Sequence, residues 1–159
     1  MEPAPEWRIR PATIGDAAVL ASLRAEFLAE VTQGTPLDPA LRPALDEYFA
    51  RSLKTGEFIA ILAVAGDTII ATSGLVWHQH PPTPKNVTGR EGYIMNMYTL
   101  PAWRGRGIAA VLLDRLLEVI REHGCRWAVL HAMAKARGLY ARFGFQPCES
   151  EMRLDLQAS

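Results

Sequence analysis

The chain opens on an alternating run, Trp7-Arg8-Ile9-Arg10, which predicts a short first strand. Thr13-Ile14-Gly15-Asp16 then has the form of a capping box, with Thr13 at the N-cap and Asp16 three residues on. Behind it Leu20, Leu23, Phe27, Leu28 and Val31 recur at helical spacing. Gly34, Pro36 and Pro39 break that helix, and a second runs from about Ala40 to Leu53 with Leu41, Leu45, Tyr48, Phe49 and Leu53 on one face. The period then changes. Phe58 to Val64 is a continuous apolar run, as expected of a buried strand. Gly66-Asp67 supplies a turn and Thr68 to Trp77 a second β-rich run, so the two read as a hairpin.

Pro81 to Arg90 is a loop with three prolines, long enough for a functional lid or rim and equally compatible with a plain connector. Tyr93 to Leu100 predicts another strand, ended by Pro101. After Gly105 and Gly107 a helix extends to about His123, with Ile108, Val111, Leu112, Leu116 and Val119 on its apolar face and Asp114, Arg115, Glu118 and Arg121 mostly opposite. Gly124 ends it in the C′ role. Arg126 to Ala132 predicts a strand, Lys135 to Phe143 a short helix closed by Gly144, and Met152 to Leu156 a last strand. Alternating strands and helices in this order predict an α/β (α+β) fold: one mixed central sheet flanked by helices, as a single domain over residues 1–159.

Composition narrows the partners. Apolar residues make up 49% of the 159, enough to bury a core. Seventeen basic residues balance seventeen acidic ones, so no electrostatic argument favours nucleic acid or an anionic membrane. Cys125 and Cys148 are too few for a disulfide framework and carry no C-x-x-C spacing. No secretory signal or membrane-length apolar run is present, so a soluble, cytoplasmic protein is expected. Asn86-Val87-Thr88 matches a glycosylation sequon, a chance match in that setting.

The most informative stretch is Arg104-Gly105-Arg106-Gly107-Ile108-Ala109, between a strand and an amphipathic helix. Glycines there permit positive φ and close approach of a ligand to the backbone. The start of the helix offers unpaired N–H groups and the positive end of the dipole, where phosphates bind. A Walker-type loop is absent. The run also fits the loose dinucleotide fingerprint G-x-G-x-x-A, but the region where a ribose-binding carboxylate belongs reads Leu130-His131-Ala132-Met133. A nicotinamide cofactor is therefore disfavoured.

These residues resemble the GNAT superfamily of N-acetyltransferases. Arg104, Gly107 and Ala109 fill the fixed places of its Q/R-x-x-G-x-G/A signature, with Pro101 three residues ahead. Gly138-Leu139-Tyr140-Ala141-Arg142-Phe143-Gly144-Phe145 looks like its second signature, L-Y-x-x-x-G-F, and Arg10-Pro11-Ala12-Thr13 like its usual opening. The resemblance covers nearly the whole chain. It implies acetyl-CoA as a cosubstrate, with the pantetheine arm on the backbone of Met97, Tyr98 and Thr99 and the pyrophosphate on Arg104, Gly105, Arg106, Gly107, Ile108 and Ala109. It implies a primary amine as acceptor, on a small molecule or a protein, and is compatible with a homodimer. A non-catalytic acyl-CoA sensor of the same fold is the alternative.

Tyr140 matches the family's general acid for the leaving sulfur, or is a packed aromatic. Where many relatives carry a carboxylate, the strand before the glycine turn has Asn96, which takes no proton but can orient a water or the substrate. Glu91, just before that strand, and Glu26 and Glu30 on the first helix are the candidate bases, or are solvated surface charges. Met133 stands where relatives often have a CoA-binding Asn; Arg137 either meets a phosphate instead or is exposed. His78 and His80 share one strand face with no third ligand at short spacing, so no metal is expected and the pair is assigned to the rim of the acceptor pocket. That pocket is expected from the first two helices and the 81–90 loop.

Overall fold

Five strands form one sheet in the order of the chain: β1 (Arg8–Pro11), β2 (Phe58–Ala65), β3 (Thr68–Gln79), β4 (Arg90–Thr99) and β5 (Trp127–Leu130). The first four pair antiparallel and β5 joins β4 in parallel, so the sheet is mixed, as expected. The computed structural model describes residues 6–148 and 150–157. Helices α1 (Ala17–Val31) and α2 (Leu41–Thr55) precede the β2–β3 hairpin, α3 (Ile108–Glu122) makes the crossover from β4 to β5, and α4 (Arg137–Arg142) follows β5.

The entry to α1 is built as its sequence implies. Residues 14–16 make a single 3-10 turn, and the Asp16 carboxylate accepts the Thr13 N–H at 2.7 Å. Arg10 donates both terminal nitrogens to the same carboxylate at 2.8 and 2.9 Å, tying β1 to the helix start. That hydrogen-bonded guanidinium holds the Asp16 carboxyl below its ordinary range, against the opposing effect of burial.

Two cores lie on opposite faces of the sheet. On one, Leu20, Leu23, Phe49, Phe58, Leu62 and Tyr98 are buried beneath α1 and α2. Tyr48, Phe49 and Phe58 meet there edge to face, with ring centroids 5.2–6.0 Å apart. On the other, α3 buries Ile108, Leu112, Leu113, Leu116, Leu117, Val119 and Ile120 against Ile61, Ile70, Leu75 and Ile94. Each such side chain contributes about 1.5–3 kcal/mol of burial, which makes α3 the principal anchor of the sheet. Its apolar stripe is rotated from the sequence expectation: Val111 is exposed, and Leu113, Leu117 and Ile120 take the inner positions. The helix sits against the sheet itself, so a broad stripe and not a single seam is covered.

Three other expectations change. β3 continues past Trp77 to Gln79, and β4 begins at Arg90, so Glu91 lies inside a strand, opposite His78. The 80–89 connection is tightly folded: Thr83 and Asn86 exchange backbone hydrogen bonds at 3.0 Å, and Asn86 is buried with its amide donating to Arg90 O. The sequon asparagine is thereby occupied. Met152 to Leu156 forms no strand; Met152, Leu154 and Leu156 are all exposed. Alternation marks which residues would share a face but supplies no ladder partner, and a strand is stabilised chiefly by its neighbours.

Gly92 shows how closely α3 approaches β4. A Cβ there would lie 2.6 Å from Ile120 Cγ1 and 2.7 Å from its Cδ1. Gly92→Ala should lower stability by about 1–3 kcal/mol through overpacking. In an Ile120→Ala background the same change should cost much less, which chemical denaturation of the four variants would measure. Equal costs in both backgrounds would refute this contact.

Candidate functional site

The two central strands part company at a defined point. β4 and β5 pair from Glu91–Trp127 to Ile94–Leu130 and no further, while β4 runs on to Thr99. Just past the last pair, Asn96 and Met97 of β4 oppose the single residue Ser73 of β3, between the Gly74–Met95 and Thr72–Tyr98 pairs. This is a β-bulge, and Asn96 adopts φ 54°, a conformation that Asn tolerates better than most residues. Bulges bend a strand and increase its local twist. On its β5 side, the backbone of Met97 to Thr99 is left without a strand partner.

A cavity of about 650 Å³ fills the gap. Met97, Tyr98, Thr99 and Arg104 line one side, Met133, Ala134 and Lys135 another, and Phe27, Glu30, Val31 and Gln33 of α1 and its exit close it. Val31, on the apolar stripe of α1, is thus not core but wall. α2 and the 81–90 loop do not line this cavity, and neither do His78 and His80. Nothing local in the sequence marks Lys135 or Glu30 as wall residues.

The glycine turn adjoins this cavity at the head of α3. Gly105 and Gly107 have φ 77° and 76°, and a Cβ at either would meet no atom within 4 Å. Their requirement is therefore conformational, and the space over them is open to a ligand. The arginines between are engaged. Arg104 donates to both oxygens of Glu30 at 2.8 and 2.9 Å and to Thr99 O at 2.9 Å, and lies over the Tyr98 ring. The pair lowers the Glu30 pKa and raises that of Arg104, the shared hydrogen bonds being the main cause. Arg106 pairs with Glu6 at 2.7 Å and covers Trp103. Arg137, by contrast, has no ion-pair partner among the described residues.

Asn96 is buried, and both polar atoms of its amide lack a hydrogen-bond partner. Buried amides are ordinarily satisfied, which sets this one and the Thr72 hydroxyl apart among the buried side chains. Tyr140, on α4, is buried on the α3 side with its ring edge-on to Phe145 at 5.9 Å. Burial raises its pKa above the ordinary tyrosine value. It does not line the cavity. At the fork, Tyr93 Oη and His131 Nδ1 are 2.5 Å apart, and His131 Nε2 is 2.5 Å from Glu151, whose pKa is lowered by that contact. The sequence predicts a strand over Arg126 to Ala132, but β5 ends at Leu130, and His131 just beyond it takes its partners from β4 and the distant tail.

Comparison with known proteins meets this geometry independently. Residues 22–145 match the model of the acetyltransferase (GNAT) family. A predicted acetyltransferase from Clostridium acetobutylicum, crystallised with acetyl-CoA, superposes with a TM-score of 0.87 at 34% identity, over 94% of this chain and 96% of that one. A GCN5-related N-acetyltransferase from Ralstonia eutropha JMP134 does so with 0.85 at 28% identity, over 96% and 99%. A glucosamine 6-phosphate N-acetyltransferase of Trypanosoma brucei brucei is 35% identical over 65 residues, 41% of this chain and 44% of that protein. The chain spans about half the length of the curated relatives it matches first. With a family model over most of its length and a fold shared almost end to end, the chain belongs to the acetyltransferase (GNAT) family.

Proposed function

We propose that this protein transfers an acetyl group from acetyl-CoA to a primary amine, by direct attack of the amine on the thioester. The observation that carries the reading is the fork: on its β5 side β4 has no strand partner from Met97 to Thr99, beside a cavity that Arg104, at the start of the glycine turn, also lines. A pantetheine arm, with its two amides, pairs with such a strand as β5 would have done. The N–H groups from Arg104 to Ala109, at the positive end of α3, face the pyrophosphate. Lys135 and Arg137 supply cationic partners, because Arg104 and Arg106 are held by Glu30 and Glu6. The relative crystallised with acetyl-CoA supports the same ligand.

In the transfer an N–C bond forms, the C–S bond breaks, the nitrogen gives up a proton through water to solvent, and the departing sulfur takes one. Tyr140 is assigned as that donor. Its raised pKa keeps the hydroxyl protonated across the neutral range. Asn96, with its unpartnered amide at the bulge, is assigned to orient the attacking amine or a water. The acceptor is an amine of a small molecule or of a protein; one relative's name carries glucosamine 6-phosphate. The whole chain is taken as one catalytic domain in the cytoplasm.

Three outcomes test this reading. CoA should raise the melting temperature of the wild type, since a ligand of the folded state stabilises it by mass action. Gly107→Glu, which sets a carboxylate against the pyrophosphate in a left-handed position, should remove that shift; equal shifts in both proteins would displace the site from the turn.

Release of free thiol from acetyl-CoA, followed across a panel of amines, separates an enzyme from a mere acyl-CoA sensor. Tyr140→Phe should retain the CoA-induced shift but release thiol roughly 10²-fold more slowly. An unchanged rate would reduce Tyr140 to a packing residue.

With Asn96 in place of a carboxylate, kcat/KM should rise with pH and follow the pKa of each amine as acceptors are varied. An inflection at one pH near ~6–7, shared by every amine, would instead report a dedicated base of the enzyme.

A further inference from the structure

At the far end of β4 from the cavity lies a second group of side chains that acetyl transfer does not use. His78 is the last but one residue of β3, His80 follows the strand, and Glu91 is the second residue of β4. Residues two apart on a strand share a face, and directly opposed residues of an antiparallel pair share it too. His78 pairs opposite Glu91, and the ladder persists beyond the strand end through the His80 N–H bond to Gly89 O at 2.8 Å. All three side chains therefore project from one patch of the β3–β4 hairpin.

One ligand atom from each of the three lies within 4.8 Å of the others. His80 Nε2 is 3.2 Å from Glu91 Oε2. The His78 ring is stacked on Tyr93 at 5.0 Å and 13°, and meets His80 edge-on at 5.9 Å. Stacking on Tyr93 restricts the His78 ring. Donors bound at about 2.0–2.2 Å to one ion lie about 3–4 Å apart, so a small closure of the side chains completes the shell. The third ligand was invisible in sequence because it stands eleven residues from His80, across the loop.

We propose that His78, His80 and Glu91 form a binding site for one divalent transition-metal ion of the zinc, cobalt or nickel type. Two imidazoles and a carboxylate are the donor set such ions prefer, whereas calcium and magnesium take all-oxygen shells. Three protein ligands leave at least one position for water or an outside donor. The ion binds both ends of the 81–89 loop: His80 immediately precedes it, and Glu91 follows one residue after it. It thus clamps a connection whose own hydrogen bonds, among them those of Gln79 Nε2 to His80 O and Thr88 O at 3.0 Å, already draw the ends together. From the cavity wall at Met97 the site is separated by six residues of strand, about 20 Å at the usual rise, so the ion is assigned to the loop and not to the acetyl group.

The test uses full-length, tag-free protein stripped with EDTA. Zinc titrated into it by calorimetry should bind at one equivalent and raise the melting temperature. Cobalt should give a visible d–d spectrum that zinc displaces. His78→Ala, His80→Ala and Glu91→Gln should each weaken zinc at least tenfold and abolish the cobalt spectrum while leaving the far-UV circular dichroism unchanged. These positions are partly or fully solvent-facing, so the variants should fold. Absence of saturable zinc binding, or a stoichiometric site that survives all three substitutions, overturns the proposal. No readout involves acetyl-CoA, so its failure is separate from failure of the acetyltransferase reading.

Discussion

A parallel strand pair that stops after four residues is the constraint on which the site depends. Ile94 and Leu130 are the last to face each other, and the bulge at Asn96 follows at once. Continuous pairing would satisfy the backbone of Met97 to Thr99 within the sheet and leave no cavity. The bulge holds β4 to β3 on one side while the other side is released. Asn96, whose amide has no partner within the chain, is buried at that bulge.

The second tie is Arg104 with Glu30. In sequence Arg104 is the first residue of a phosphate-binding signature, and a direct cationic contact would be its simplest role. In the fold its guanidinium is spread over Glu30, Thr99 O and the Tyr98 ring. It joins the end of α1 to the start of the glycine turn and so holds two walls of the cavity at a fixed distance. The pair is more than a third exposed, and its contribution to global stability is correspondingly small. Its value is geometric.

The elements were legible because each carries a local signal: the period of α1, the apolar run of β2, the capping box at Asp16, the glycines around α3. The family was legible for the same reason, since both signatures are contiguous. The candidate site was legible where a contiguous stretch carries it: Met97 to Thr99 and Arg104 do line the cavity. It was obscure wherever it depends on register. That Asn96 sits on a bulge follows from Ser73 on another strand, and that Glu91 meets His78 follows from the same pairing two turns of ladder away. Lys135 and Met133 enter the cavity wall only because β5 ends at Leu130. Val111 and the 152–156 segment misled for a related reason: apolar spacing names a face, and only the tertiary fold decides what covers it.

The order of strands in the sheet is also the order of strands in the chain, and this bears on how the molecule is assembled. β2 meets β3 through a tight turn and β3 meets β4 through the folded 80–89 loop, so the meander they form closes local loops at little entropic cost. β5 reaches β4 only after α3 has been laid across the sheet, because a parallel partner needs a crossover. The hairpin that carries the histidines thus belongs to the locally closed part of the topology. The fork belongs to the part that must wait for long-range docking, and the cavity it encloses is complete only when α3, β5 and the end of α1 have all arrived.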